Sequence, residues 1–191
     1  MTDRNGSSHG LGMDCCNALR LSYEEELVGA SFFAQLSSFH SGSAYCLLLL
    51  FTQIELIMAD ALRALVSSTC TLLQRRTDTE LHQDGIHEAN ELRNLHWSHL
   101  ASHLATTFLP AISDIAQIQS QCKLADKKDK AVLQQFLEHE LLIVAALQGQ
   151  VGEHPGVMLA SSAGWISRHG TSEASSGVGK FSDDACVEIT R

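Results

Sequence analysis

Proline is nearly absent, with 2 in 191 residues, and stretches that alternate apolar with polar residues are few. The first lack removes the usual interruption of a helix and the second removes the signature of half-buried strands, so an all-α chain is expected. Cations are scarce as well. The chain has 13 lysines and arginines against 22 aspartates and glutamates, a formal net charge of -9, which excludes binding to a phosphate backbone as its main business. The only concentrated cations, Arg75 with Arg76 and Lys123, Lys127, Lys128 and Lys130, mark helix ends and a connection.

Long hydrophobic runs are missing too. The longest, Ala44 to Phe51, gives way to Thr52, Gln53 and Glu55, too short and too polar for a membrane span. The first residues, MTDRNGSSHGLGMDCC, lack the cation-then-apolar pattern of a secretory signal. The six cysteines, at 15, 16, 46, 70, 122 and 186, form no CxxC pair, which reads as reduced thiols in a cytoplasmic chain. No GxGxxG or GxxxxGK[ST] loop occurs, and no local motif argues for a Ser-His-Asp or Cys-His nucleophile.

What is present is helical periodicity between two polar ends. Residues 1–20 form a flexible N-terminal segment, 21–151 a helical bundle and 152–191 a Gly/Ser-rich C-terminal tail, with room for a short docked piece around Val157 to Ile166. Four helices are expected. The first runs from about Leu21 to Ser38, with Ser22 and Glu25 at capping-box spacing. The second follows the turn at 41–43 and continues to about Arg76, with a kink near Ser67 and Ser68. The third covers about Ile86 to Gln121, kinked or broken at Pro110, and the fourth about Lys128 to Gln150, ending before Gly152 and Pro155. Short connections predict an antiparallel up-and-down four-helix bundle.

Several ionisable groups fall on the wrong faces of these helices. At about 100° per residue, Glu55 is centred among Phe51, Met58, Ala59, Leu62 and Val66, although an ionised carboxylate buried without a partner costs several kcal/mol. On the fourth helix His139 and Glu140 flank the direction set by Val132, Phe136, Ile143 and Leu147, while Glu138 points away. On the first, Glu25 is consumed by the expected cap, leaving Glu26, beside Phe33, as the inward carboxylate. Glu26 and Glu55 are nearly equidistant from Ser41, the middle of the first turn, and His139 lies about as far beyond Ala125, so antiparallel packing would bring all of them to one level. Carboxylate oxygens with an imidazole nitrogen suit iron, manganese or zinc, and a metal would neutralise the buried anions.

Glu26-x-x-Gly29-Ala30 with Phe33, Glu55, and Phe136-Leu137-Glu138-His139-Glu140 together resemble the ferritin-like superfamily of carboxylate-bridged bundles, over about residues 21–150. The resemblance implies a protein-held iron or manganese and oxygen-linked redox chemistry, with Glu26, Glu55, His139 and Glu140 as ligands. A complete di-iron member shows Glu-x-x-His twice, whereas here Met58 stands three after Glu55 and Phe136 three before His139. A reduced one-metal site and a metal-free descendant are therefore both open.

His96, His99 and His103 form a stripe on the third helix with zinc-compatible spacing. They lie well away from its apolar face of Trp97, Leu100, Ala101, Leu104 and Phe108, so a solvated flank is expected; only His103 comes near the level of the cluster. The alternative to a metal protein is a non-catalytic bundle in which the same polar groups form a buried hydrogen-bond network and an exposed face recruits a protein partner. A homodimer is the expected cover for leftover apolar surface.

Overall fold

The computed structural model describes residues 9–70, 76–124, 126–150 and 155–170. Among them are six α-helices and no strand: α1 (His9–Ser37), α2 (Gly42–Thr69), α3 (Asp78–Leu92), α4 (Trp97–Gln121), α5 (Lys127–Gln150) and α6 (Pro155–His169). The all-α class holds, with six helices where four were expected.

The core is organised around α2. Leu47, Leu48, Phe51, Ile54, Met58 and Leu62 recur at intervals of one, three and four residues, form one stripe, and are all 0% exposed. Each such side chain contributes about 1.5–3 kcal/mol when removed from water. α1 packs along α2 most extensively, while α5 and α6 close its other sides. Phe33 of α1 joins the layers, with its ring edge-on to Phe32 (5.3 Å), Phe51 (5.2 Å) and Phe108 of α4 (5.8 Å). Among the described residues α2 is the one helix long and apolar enough to cross a membrane, with mean hydropathy 1.7, and 61% of that apolar window is buried by the other helices.

Four sequence expectations are corrected. α1 begins at His9 rather than near Leu21, so the described part of the 1–20 segment is helical. Ser22 consequently sits inside a continuous helix, buried, and caps nothing. The capping box is instead Thr77 with Glu80 at the start of α3, where the Glu80 amide donates to Thr77 Oγ1 (3.3 Å) and the Thr77 amide to Glu80 Oε2 (2.8 Å). The expected third helix is two helices. α3 packs on α1 and α4 on α5, and the chain leaves helical geometry between Leu92 and Trp97 while Pro110 is absorbed within α4. The polar sequence Arg93-Asn94-Leu95-His96 has no apolar stripe to hold a helix against either partner. The docked piece expected around Val157 to Ile166 is α6, a helix on α2 and α5, inside the stretch assigned to a tail.

The cysteines are corrected too. Cys15 is bonded to Cys122 and Cys16 to Cys70, with Cα separations of 5.3 Å and 5.5 Å, and Cys46 is also disulfide-bonded. Two adjacent residues of α1 thus fasten the C-terminal caps of α4 and α2. The partners are 107 and 54 residues apart in sequence, beyond any local spacing rule. Disulfides persist in oxidising compartments, so the expected cytoplasmic location loses the support that reduced thiols gave it. Closing loops of this length stabilises a fold by about 4 kcal/mol each in the chain-entropy account. The Ala125 turn and the ends of the expected tails lie outside the described residues.

Candidate metal centre

Three helices deliver the ionisable side chains that the sequence directs inward. α1 carries Glu26, α2 carries Glu55, and α5 carries His139 and Glu140. Glu26 is 2% exposed, Glu55 6% and His139 0%, so all three are taken out of water, and Glu140 is half-buried beside them. His139 Nε2 lies 3.2 Å from Glu26 Oε2 and 3.8 Å from Glu140 Oε1. One ligand atom from each of Glu26, His139 and Glu140 falls within 4.8 Å of the others. Glu55 stands against Glu26, the two carboxyls within hydrogen-bonding reach.

A glycine makes that arrangement fit. A Cβ on Gly29 would come within 2.9 Å of Glu55 Oε2 and 3.0 Å of its Cδ, so the Glu55 carboxyl occupies the space a side chain at 29 would take. Gly29 follows Glu26 by one turn of α1, which brings the two carboxyls to the same face.

The electrostatics are those of crowded, desolvated anions. Burial pushes Glu26 well above the usual carboxylate range, with repulsion from Glu140 adding to it and the bond to Glu55 opposing it. Burial likewise pushes Glu55 well up, with repulsion from Glu26 next and attraction by His139 working against both. Glu140 is raised by burial and pulled back by His139. No lysine or arginine among the described residues pairs with any of the four.

The hydrogen-bond inventory is incomplete in the same place. Glu26 Oε2 and both ring nitrogens of His139 are buried with no hydrogen-bond partner, although Oε2 and Nε2 are only 3.2 Å apart. The separation would allow a hydrogen bond and the direction does not. Donor atoms about 2.1 Å from a shared cation stand about 3.0 Å apart at right angles and about 3.4 Å apart at a tetrahedral angle. The 3.2 Å between His139 Nε2 and Glu26 Oε2 lies in this range, while the 3.8 Å to Glu140 Oε1 would need a wider angle at the cation. Oxygen and imidazole donors that face one another unpaired therefore fit a divalent metal.

Two aromatic rings pack on His139. Phe136 stacks on it at 5.4 Å, and Trp165 of α6 tilts against it at 6.2 Å. Trp165 Nε1 and Ser162 Oγ are also buried without a hydrogen-bond partner, so polar atoms continue behind the imidazole. Sequence reasoning left Trp165 out because it lies in the glycine- and serine-rich stretch. The signal was there in the helical spacing of Met158, Leu159, Ser162, Trp165 and Ile166. It also passed over Glu24, buried and bound by Arg20 at 2.7 Å.

On the other side the cluster opens. A cavity of about 800 Å³ lies between α1, α3 and α4, with Glu26, Gly29, Glu55 and Glu140 among its lining. His103 lines this cavity, whereas His96, His99 and His103 are all exposed and no ligand set among the described residues includes them. Glu138 is exposed and accepts from Gln134 at 3.0 Å, pointing away from the site. No protein-family model, curated protein or solved structure matches this chain.

Proposed function

We propose that Glu26, His139 and Glu140, with Glu55 beside them, hold a single divalent metal ion, iron or manganese by the resemblance to ferritin-like bundles, in a reduced bundle of that kind built from α1, α2, α4 and α5. The observation that carries this reading is the pair Glu26 Oε2 and His139 Nε2, buried, 3.2 Å apart and not hydrogen-bonded to anything. Leaving such groups unpaired costs roughly 1–3 kcal/mol each, and a shared cation removes that cost while neutralising the anions. Iron or manganese in this setting would supply oxygen-linked redox chemistry. The chain's own part is to pack the imidazole against Phe136 and Trp165, to keep Glu55 over Gly29, and to leave the Glu140 side open to the cavity.

One observation favours the alternative of a non-catalytic bundle. Glu26 and Glu55 can share a proton, which would let the pair persist as a buried polar contact that fixes helix register. Elemental analysis of protein purified without a histidine tag separates the two. The metal reading expects about one equivalent of iron or manganese per chain. His139→Ala should abolish it, Glu55→Ala should lower it, and Glu138→Ala should leave it unchanged. Absence of metal after anaerobic loading, or equal occupancy in Glu55→Ala and Glu138→Ala, would overturn the metal reading in favour of the polar network.

A further inference from the structure

The cavity above the cluster has three zones. Its floor is the buried carboxyl group of Glu26 with Glu55 and Glu140, and Glu26 Oε2 has no hydrogen-bond partner. Its walls are apolar, with Phe32, Phe33, Leu104, Phe108, Ile115 and Ile118 buried or half-buried. Its rim is anionic, with Glu25 from α1, Glu88 from α3 and Asp114 from α4, all exposed.

The rim carboxylates have no salt-bridge partner among the described residues. Of the cavity's cationic side chains, Arg76 is engaged by Asp84, and His103 makes no ion pair among the described residues. Glu91 has His87 at 3.7 Å and Glu24 has Arg20 at 2.7 Å, whereas among the described residues no lysine, arginine or histidine forms a salt bridge with Glu25, Glu88 or Asp114. Glu25 of α1 and Asp114 of α4 are close enough to repel one another, and Glu88 of α3 lines the same cavity. Carboxylates around the mouth of one apolar-walled cavity concentrate negative potential there and favour a cationic group over a neutral or anionic one. The volume, about 800 Å³, lies in the range of small-molecule sites, and its largely hydrocarbon wall calls for an apolar body.

We propose that this cavity binds a small organic cation with an apolar body, an alkyl- or arylalkylammonium, whose charged head sits among Glu25, Glu88 and Asp114 while its hydrocarbon runs along Phe32, Phe33 and Phe108 toward Glu55. Its role as a substrate rests on the metal reading above; binding itself does not. The head stays at the wet rim, where an ammonium keeps part of its hydration, and the hydrocarbon fills space that water would occupy at a cost. Arg76, already committed to Asp84, leaves the rim free to take a second cation.

The test uses three probes with one hydrocarbon chain and different heads: octylamine, octan-1-ol and octanoate. Each is titrated calorimetrically into the full chain with its disulfides intact, metal-free and iron-loaded. Octylamine should bind saturably, about tenfold more tightly than octan-1-ol, and octanoate should not bind. Glu88→Gln combined with Asp114→Asn should weaken octylamine about tenfold and leave octan-1-ol unchanged, while Glu138→Gln should change neither. Ala111→Phe, which fills the lining, should abolish both. Equal affinity for octylamine and octan-1-ol, binding of octanoate, or no saturable binding of octylamine would each overturn the proposal. Octylamine binding in protein that takes up no iron or manganese even after anaerobic loading would keep the ligand assignment and remove the metal reading. Metal-loaded protein that ignores octylamine would do the reverse.

Discussion

Helix α1 meets its neighbours through two glycines placed for different ends. Toward α3, Gly85 presses onto the α1 backbone: a Cβ there would stand 2.3 Å from the Val28 carbonyl oxygen and 2.8 Å from the Phe32 amide nitrogen. Toward α2, Gly29 admits the end of a side chain, the Glu55 carboxyl at 2.9 Å. Polar groups follow the same division. On the α3 side they are paired, Ser31 Oγ with His82 Nδ1 at 2.8 Å and Gln35 Nε2 donating to Asn90 at 3.4 Å. On the α2 and α5 side they are crowded, and Glu26 Oε2 and the His139 nitrogens have no hydrogen-bond partner. One face of the helix is finished as packing. The other keeps desolvated atoms without hydrogen-bond partners, and its carboxyls line the cavity between α1, α3 and α4.

The same substitution at the two glycines should separate the faces most widely. Gly85→Ala drives a methyl into backbone that has no way to yield, and we expect a loss of about 2 kcal/mol or more in chemical denaturation, even after the helix-propensity gain of about 1 kcal/mol. Gly29→Ala meets only the end of a flexible side chain, so stability should stay level or rise by up to about 1 kcal/mol. Displacing Glu55 should nonetheless weaken metal binding by about tenfold to a hundredfold, read by competition with a chelator. Equal destabilisation by the two substitutions would erase the distinction drawn here.

A pH series sharpens the comparison further. Glu26, Glu55 and Glu140 have folded-state values raised above the ordinary 4.5, so the metal-free folded chain keeps protons that the unfolded chain releases. Their contribution is fully present below about pH 4.5 and is lost as pH rises through the folded values. Glu80, in the capping box of α3, is lowered by its bonds to Thr77, and its smaller contribution runs the opposite way, lost as pH falls through its folded value. Melting of the metal-free protein should therefore fall as pH rises from 4.5, and Glu55→Gln or bound metal should flatten the slope. A slope that rises with pH and ignores Glu55→Gln would mean that the buried acids stay ionised. The smallest effect expected is Ser31→Ala, which removes the bonds to Leu27 and His82 and should cost about 1 kcal/mol without altering metal content.

The inward aim of Glu26, Glu55 and His139 was legible because it depends on quantities that sequence carries directly, a period of about 3.6 residues and the number of residues on either side of a short turn. Glu55 announces itself because its neighbours one and two turns away, Phe51, Met58, Ala59 and Leu62, are all core. Glu25 was harder to place, since Ser22 mimics a cap whenever the helix is taken to begin near Leu21. The break between α3 and α4 was hidden because Pro110 drew attention to a position the helix tolerates. Ala163 and Gly164 beside Trp165 diluted the pattern of α6.

By itself, then, the sequence determined the helical class, the acidic surplus and the faces on which the unusual carboxylates and His139 fall, because each follows from local composition and periodicity. Tertiary structure alone decided that Cys15 and Cys16 reach Cys122 and Cys70, that α6 brings Trp165 against His139, and that α3 and α4 part to leave a cavity above Glu55. These are meetings between segments far apart in the chain, fixed by how helices of unequal length and lateral position bury their apolar faces together, and no spacing along the sequence encodes them.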